Sequence, residues 1–289
     1  MTMRYEKPAT AQEAASLLAN EPGVARVLSG GTDVLVQLRA GMIELDLIVD
    51  IKNLDQIKDI TSEDGGFRIG AAVSGASLGE HAGVVALWPG VVEAFELIGS
   101  TQVQGRATMA GNLCNGSPAA DSVPAMIAAN ATARIVGPDG ERDCLVQDIP
   151  VSPGRTALTK GEIVTSIFLP ARPERAADAY LRFTPRTEMD IAVASAAVSL
   201  ELDAGGTCTA ARIALGAIAP TVVLVEAASK CIIGTKLDAA ALEAMSAACS
   251  AACNPIDDKR GTIEFRTQVV GVLAKRAALI AYKRAGGRT

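Results

Sequence analysis

The stretch VARVLSGGTDVLVQLRAG, residues 24–41, reads as a strand, a glycine turn and a helix in succession. Residues 24–28 are an aliphatic run broken by one arginine, which suits a strand. Gly30 and Gly31 carry no Cβ, so the chain there can take positive φ and let a ligand approach the main chain. Asp33 stands at the position of an N-cap for the apolar-periodic run that follows, and Gly41 marks its end. A strand, a glycine turn and a helix start gather unpaired N–H groups that face one way, which is the arrangement that accepts a phosphate or pyrophosphate.

A second segment repeats the pattern with more chemistry. TMAGNLCNGSPAAD, residues 108–121, offers the hydroxyl of Thr108, the bare backbone of Gly111 and the amides of Asn112 and Asn115. One Gly-Gly turn commonly does no more than join two elements. Two donor-rich segments in one chain point to a diphosphate. Asp121 ends the second segment, where a carboxylate would repel phosphate. It has two readings: an acceptor for a ribose hydroxyl, as in dinucleotide folds, or the cap of the helix DSVPAMIAANA with Pro124 in its first turn. No G-x-G-x-x-G follows a strand and no G-x-x-x-x-G-K-[ST] occurs, so neither a Rossmann site nor a P-loop is expected.

The order of these motifs resembles the FAD-binding medium subunit of the molybdenum hydroxylases, the xanthine dehydrogenase and carbon monoxide dehydrogenase group. GGTD near the start, T-x-x-GN-x-x-x-x-SPAAD, and LRFTPRTEMDIA at residues 181–192 carry the resemblance. It extends from RYEKPAT to RTQVVGVLAKRA. It implies an α+β fold: a two-subdomain FAD-binding unit like that of the vanillyl-alcohol oxidases, then a three-stranded antiparallel sheet with a helical bundle. Position by position, Ser29, Gly30, Gly31, Thr32, Asp33 and Val34 match the first pyrophosphate loop. Thr108, Met109, Ala110, Gly111 and Asn112 match the second. Asp121 matches an acidic residue near the ribose. Ile98 and Val164 match contacts of the cofactor, and Arg182 a basic residue that approaches it from the last domain. Asp190 and Ile191 fall in the loop that relatives bring beside the isoalloxazine. Ile98 and Ile191 stand where some relatives carry aromatics, which implies aliphatic packing in place of stacking.

The resemblance further implies partners. A large subunit with the molybdenum cofactor oxidises substrate, a small 2Fe-2S subunit relays the electrons, and the three form a dimer of heterotrimers. FAD in this chain then delivers the electrons to an external acceptor such as NAD, quinone or oxygen. No side chain here is expected to act as acid, base or nucleophile, because the redox chemistry belongs to the cofactor. Two other readings are a stand-alone flavin oxidase of the vanillyl-alcohol oxidase type and a flavin-binding scaffold without a redox role. The chain's single histidine, His81, and the lack of a histidine–tyrosine cluster count against the oxidase.

Composition agrees with this frame. The chain has 289 residues, enough for two or three cores. Hydrophobic residues make up 49% and aromatics 3%, so the cores are expected to be built from Ala, Val, Leu and Ile. A net charge of −5 and few aromatics argue against a nucleic-acid surface. No apolar run approaches the roughly 20 residues that span a bilayer, and MTMRYEKPAT lacks a signal-peptide core. The expected location is cytoplasmic, or the inner face of the membrane through partners. The six cysteines (Cys114, Cys144, Cys208, Cys231, Cys249 and Cys253) include no C-x-x-C, so no metal or cluster is expected in this chain.

Three domains are expected: 1–54 and 55–174 as the FAD-binding subdomains, with a boundary at the proline-bracketed ARPERAAD, and 175–289 at the C-terminus. FAD would lie between the first two, with the third closing over the flavin end.

Overall fold

Residues 3–287 are described in a computed structural model of the chain. The N-terminal segment folds as the periodicity predicts. The helix Ala11–Asn20 is capped by the Thr10 hydroxyl, which accepts from Glu13 N–H at 3.1 Å. It leads to the strand Ala25–Leu28, the short helix Val34–Arg39 and the strand Leu47–Asp50. Leu47–Asp50 is the centre of a three-stranded, fully parallel sheet, flanked by Ala25–Leu28 and by a strand Arg4–Glu6 that carries no local signal. All four of its residues are buried, as expected when both faces are covered. The glycine stop holds: Gly41 has φ +65°, and Met42 N–H closes the helix onto Gln37 O at 2.9 Å.

The second sheet has five strands, all antiparallel. It runs Ile60–Glu63, Gly66–Gly70, Ile163–Leu169, Thr132–Gly137, Gly140–Leu145. Pro138-Asp139 forms the expected tight turn of the hairpin that joins Thr132–Gly137 to Gly140–Leu145. The helices Gly75–Glu80, Ala82–Leu87, Pro89–Glu96, Met109–Cys114 and Ser122–Ala128 belong to this part of the chain. One core joins this sheet, its helices and the first parallel sheet, centred on Phe95, Met126, Ile127 and Leu47. His81 is the N-cap of Ala82–Leu87, its Nδ1 accepting from Val84 N–H at 3.2 Å.

The third sheet contains the three expected antiparallel strands and one more. Ala176–Phe183, Ala194–Leu202 and Cys208–Gly216 pair in order, and the two-residue strand Val223–Leu224 adds an edge. Ala194, Ala196, Val198, Leu200 and Leu202 share one core with Ala274, Ala277, Ala278 and Ala281 of the helix Ile263–Arg284, whose small side chains let it lie close against the sheet. Arg266 of that helix is 4% exposed and donates to Val193 O at 2.7 Å and Ala217 O at 3.1 Å. The helix Glu226–Ile232, absent from the expectation, packs with Ala239–Ala251 on the same core.

A buried polar joint ties this sheet to the FAD-binding side. Asp178 of Ala176–Phe183 accepts from Val91 N–H at 3.0 Å, at the start of the helix Pro89–Glu96, and from Arg172 at 2.9 Å. Burial raises the Asp178 carboxyl, opposed by Arg172. Among the described residues no helix is long and apolar enough to cross a membrane.

Candidate functional site

A cleft of about 740 Å³ opens where the parallel sheet meets the second sheet and its helices. The first glycine turn leaves the carboxyl end of Ala25–Leu28, the edge at which open parallel sheets bind ligands. Ser29, Gly30, Gly31, Thr32, Asp33 and Val34 all line the cleft. Gly31 has φ +79°, so the turn exists because this residue has no Cβ. Gly30 meets a different constraint, since a Cβ there would lie 2.0 Å from Arg106 O. Two chain segments 76 residues apart thus touch backbone to backbone, and Arg106 Nε donates to Gly30 O at 3.2 Å.

The second segment is a short helix, Met109–Cys114, rather than a loop. Thr108 caps it by accepting from Gly111 N–H at 3.0 Å, which commits its oxygen to the turn. Thr108, Ala110, Gly111 and Asn112 face the cleft, whereas Met109 is turned into the core at 3% exposure. A Cβ on Gly111 would meet only Thr108 Oγ1. Apart from that hydroxyl the space beside the Gly111 backbone is open.

Side chains lock the two segments together. Ser29 Oγ donates to Ala71 O at 2.9 Å and lies 3.4 Å from Thr108 Oγ1. Asn115 Nδ2 donates to Asp33 Oδ1 at 3.1 Å. Asp33 occupies the cap position of Val34–Arg39 but makes no cap bond, a correction to the local reading. Its carboxyl is raised by burial. Asn112 Oδ1 accepts from Ser122 Oγ at 2.7 Å, so the second segment is also fixed to the next helix. Replacing Thr108 by Ala removes one cap and the contact with Ser29. The expected loss is about 1 kcal/mol, a fall in melting temperature of about 2–4 °C. Thermal melting of the flavin-free variant checks it, and an unchanged melt would remove Thr108 from that role.

The far wall was missed by the sequence reading, which found only Val164. It is formed by Leu158, Thr159, Lys160, Gly161, Glu162 and Ile163, at the entry to the strand Ile163–Leu169. The available signal was KGE at 160–162, a glycine between charges before a β-branched run. Gly161 does turn there with φ +92°. Glu162 accepts from Arg142 at 2.8 Å and from Thr159 N–H at 2.8 Å, and Arg142 holds its carboxyl below the usual range. Ile98 also lines the cleft.

Cys114 reaches the cleft surface, yet desolvation pushes its thiol up to about 12.

Asp121, Arg182, Asp190 and Ile191 do not line this cleft. Asp121 stands before the helix Ser122–Ala128 with helical φ and ψ and makes no cap bond. The capping reading is thereby corrected. Its carboxylate accepts instead from Tyr180 OH at 2.6 Å and from Arg182 Nη1. Burial pushes the Asp121 carboxyl up to about 6, opposed by Arg182 and Tyr180. This pair joins the helix that holds Asn112 to the strand Ala176–Phe183. Asp190 and Ile191 lie on the connection between Ala176–Phe183 and Ala194–Leu202, whose Met189 N–H bonds Gly99 O at 3.2 Å. That bond brings the connection next to Ile98. Ile191 is 50% exposed, and Asp190 is bonded by Ile191 N–H, Arg186 and Arg260, which hold its carboxyl down.

The donor set fits a dinucleotide diphosphate. Two glycine-bearing backbones and Thr32 line one volume within the usual 300–1,000 Å³ range for cofactor pockets, and the open space beside Gly111 leaves room for a ligand to approach its backbone.

Comparison with known proteins agrees. Residues 1–172 match the family described as the FAD binding domain in molybdopterin dehydrogenase, and residues 179–281 match the CO dehydrogenase flavoprotein C-terminal domain. The chain is 32% identical to a xanthine dehydrogenase FAD-binding subunit of Escherichia coli O157:H7, covering 98% of this chain and 97% of that protein. It is 32% identical to the carbon monoxide dehydrogenase medium chain of Afipia carboxidovorans, with 97% of each covered. Among solved structures, a reconstituted CO dehydrogenase from Oligotropha carboxidovorans contains a chain that superposes with a TM-score of 0.94 at 31% identity, over 98% of this chain and 99% of that one.

Proposed function

This chain belongs to the FAD-binding subunits of the molybdopterin dehydrogenases, and from that premise we propose that it is the exit point for electrons in a molybdenum hydroxylase. Its cofactor is FAD, and it is a subunit of an oxidoreductase. In the proposal, a large subunit with the molybdenum cofactor oxidises substrate and a small 2Fe-2S subunit relays the electrons. They leave through FAD for an external acceptor, and the assembly is a dimer of heterotrimers. The description of one relative as a medium chain supports the existence of such partners.

The observation that carries the reading is the lock between the two glycine-bearing segments across one cleft. Residues 29–34 on one side, and Thr108, Ala110, Gly111 and Asn112 on the other, would hold the pyrophosphate. Main-chain N–H groups bind phosphate oxygens without adding charge, and their fixed spacing removes the ordering cost of flexible side chains. Ile98 and Val164 supply apolar wall to the cleft. Met109 supports the wall from the core, and the Asp121–Arg182 pair steadies the second segment through Ser122 and Asn112. The ribose contact of Asp121, and the approach of Arg182, Asp190 and Ile191 to the flavin end, belong to the same proposal. When bound, FAD supplies the exchange between one-electron and two-electron transfer. The chain's own residues bind it, orient it and fix the polarity around it.

Purifying the chain with excess FAD and recording its absorption spectrum tests the binding step, and a spectrum without flavin would refute it. Copurification tests the rest. A molybdenum-bearing large subunit and a cysteine-rich small one are expected, whereas a lone active flavoprotein would overturn the assignment to a complex.

A further inference from the structure

A second cavity of about 260 Å³ shares Ser29 and Gly30 with the cofactor cleft. Its lining is rich in cations. Lys52, Lys58 and Arg106 contribute three cations, Ser74 and Ser77 two hydroxyls, and no carboxylate lines it. The chain as a whole carries 32 acidic against 27 basic residues, so three cations around one hollow run against the average charge. Lys52 is held at 2.7 Å by the buried Asp50. Among the described residues, Lys58 and Arg106 have no carboxylate within salt-bridge distance. Arg106 is nevertheless not loose, because Nε donates to Gly30 O at 3.2 Å. That bond leaves the terminal guanidinium nitrogens as free donors. Ser74 and Ser77 are linked through their hydroxyls at 2.9 Å, which fixes both oxygens at the cavity.

From this juxtaposition we propose that the cavity lined by Lys52, Lys58, Arg106, Ser74 and Ser77 is a binding site for a phosphoryl group, separate from the pyrophosphate site of FAD. With Lys52 already paired to Asp50, the two cations without a carboxylate partner, Lys58 and Arg106, share the hollow, and an anion there accepts from them and from the hydroxyls. The volume is below that of an ordinary cofactor pocket. It suits a phosphate, or the phosphate end of a nucleotide whose remainder lies outside. Because Ser29 and Gly30 form a wall of both spaces, the site stands one turn of backbone away from the loop proposed to hold the pyrophosphate.

The test uses the FAD-loaded protein, with its flavin spectrum recorded first, so that failure to bind FAD is seen separately. Inorganic phosphate and ADP are then titrated by calorimetry at about 10 mM and 150 mM ionic strength, where screening lengths differ about fourfold. Binding at low salt that weakens at high salt is expected. Saturation by phosphate identifies the phosphoryl group alone as sufficient, and saturation by ADP only identifies a nucleotide. Lys58→Gln, at an exposed side chain, is expected to weaken binding about tenfold with flavin content unchanged, the scale of one lost charged hydrogen bond. Lys230→Gln, on the distant helix Glu226–Ile232, is expected to change nothing. The proposal falls if neither anion binds, if the two lysine variants lose binding equally, or if anions bind only to flavin-free protein.

Discussion

Gly31→Val is expected to abolish FAD binding while leaving most of the fold standing. Gly31 has φ +79°, a conformation that a β-branched residue holds only under strain of about 1–3 kcal/mol. The side chain would also collide. The first atom added lies 2.9 Å from Leu35 Cδ1 and 3.0 Å from Leu28 Cδ1. Those leucines belong to a small cluster with Leu45 and Ile48, separate from the main core. The turn therefore moves, and the N–H groups of residues 29–34 lose their common aim. A loss of at least about a hundredfold in FAD affinity is expected, equivalent to roughly 3 kcal/mol. Flavin fluorescence titration measures the affinity, and circular dichroism measures the retained fold. Normal flavin occupancy in the variant would remove the first turn from the site.

Asp121→Ala is expected to cost more stability than any surface change. Its partner Arg182 has a side chain only 5% exposed, and Tyr180 is 2% exposed. Removing the carboxylate leaves a buried guanidinium uncompensated and a phenol without its acceptor, at about 3–5 kcal/mol. Chemical denaturation at pH 7 measures this. If Asp121 also bonds a ribose, FAD affinity falls a further tenfold to hundredfold. The double variant Asp121→Ala/Arg182→Leu separates the two, since it removes both charges. It should recover most of the stability and none of a direct ribose contact. Recovery of affinity along with stability would make Asp121 a positioning residue only.

The same carboxylate carries a pH signature. Burial raises it to about 6 against an ordinary 3.8, so the folded protein holds the proton more tightly than the unfolded chain. Its contribution to stability is full below about 3.8 and is lost as pH rises through 6. Asp121→Asn cannot titrate. The stability of the parent relative to Asp121→Asn is therefore expected to increase on acidification from pH 7 to 4, by about 3 kcal/mol at most. A difference that is flat, or of opposite sign, would show that Arg182 and Tyr180 outweigh burial.

Much of this protein was legible in order along the chain. The turn at Gly30-Gly31, the stop at Gly41, the helix Ala11–Asn20, the Pro138-Asp139 hairpin and the three long strands of the last sheet each follow from residues within a few positions. Local backbone sterics and hydrophobic period decide such features. The short strands Arg4–Glu6 and Val223–Leu224 did not show, because two or three residues hold no period and form only when a neighbouring strand is already in place.

The site followed the same division. Its glycines could be read, because a missing side chain constrains the backbone wherever it occurs. The partners of its carboxylates could not. By local rules Asp33 and Asp121 both belong at helix caps, yet neither makes a cap bond. Asp33 is taken by Asn115, 82 residues away, and Asp121 by Tyr180 and Arg182, 59 and 61 residues away. A carboxylate near a helix start chooses between a backbone N–H three positions on and whatever donor the fold brings up. A buried guanidinium left without an anion costs more than an uncapped N–H that water or the next turn can satisfy. Sequence alone placed both carboxylates beside helix starts, and tertiary packing decided what they hold.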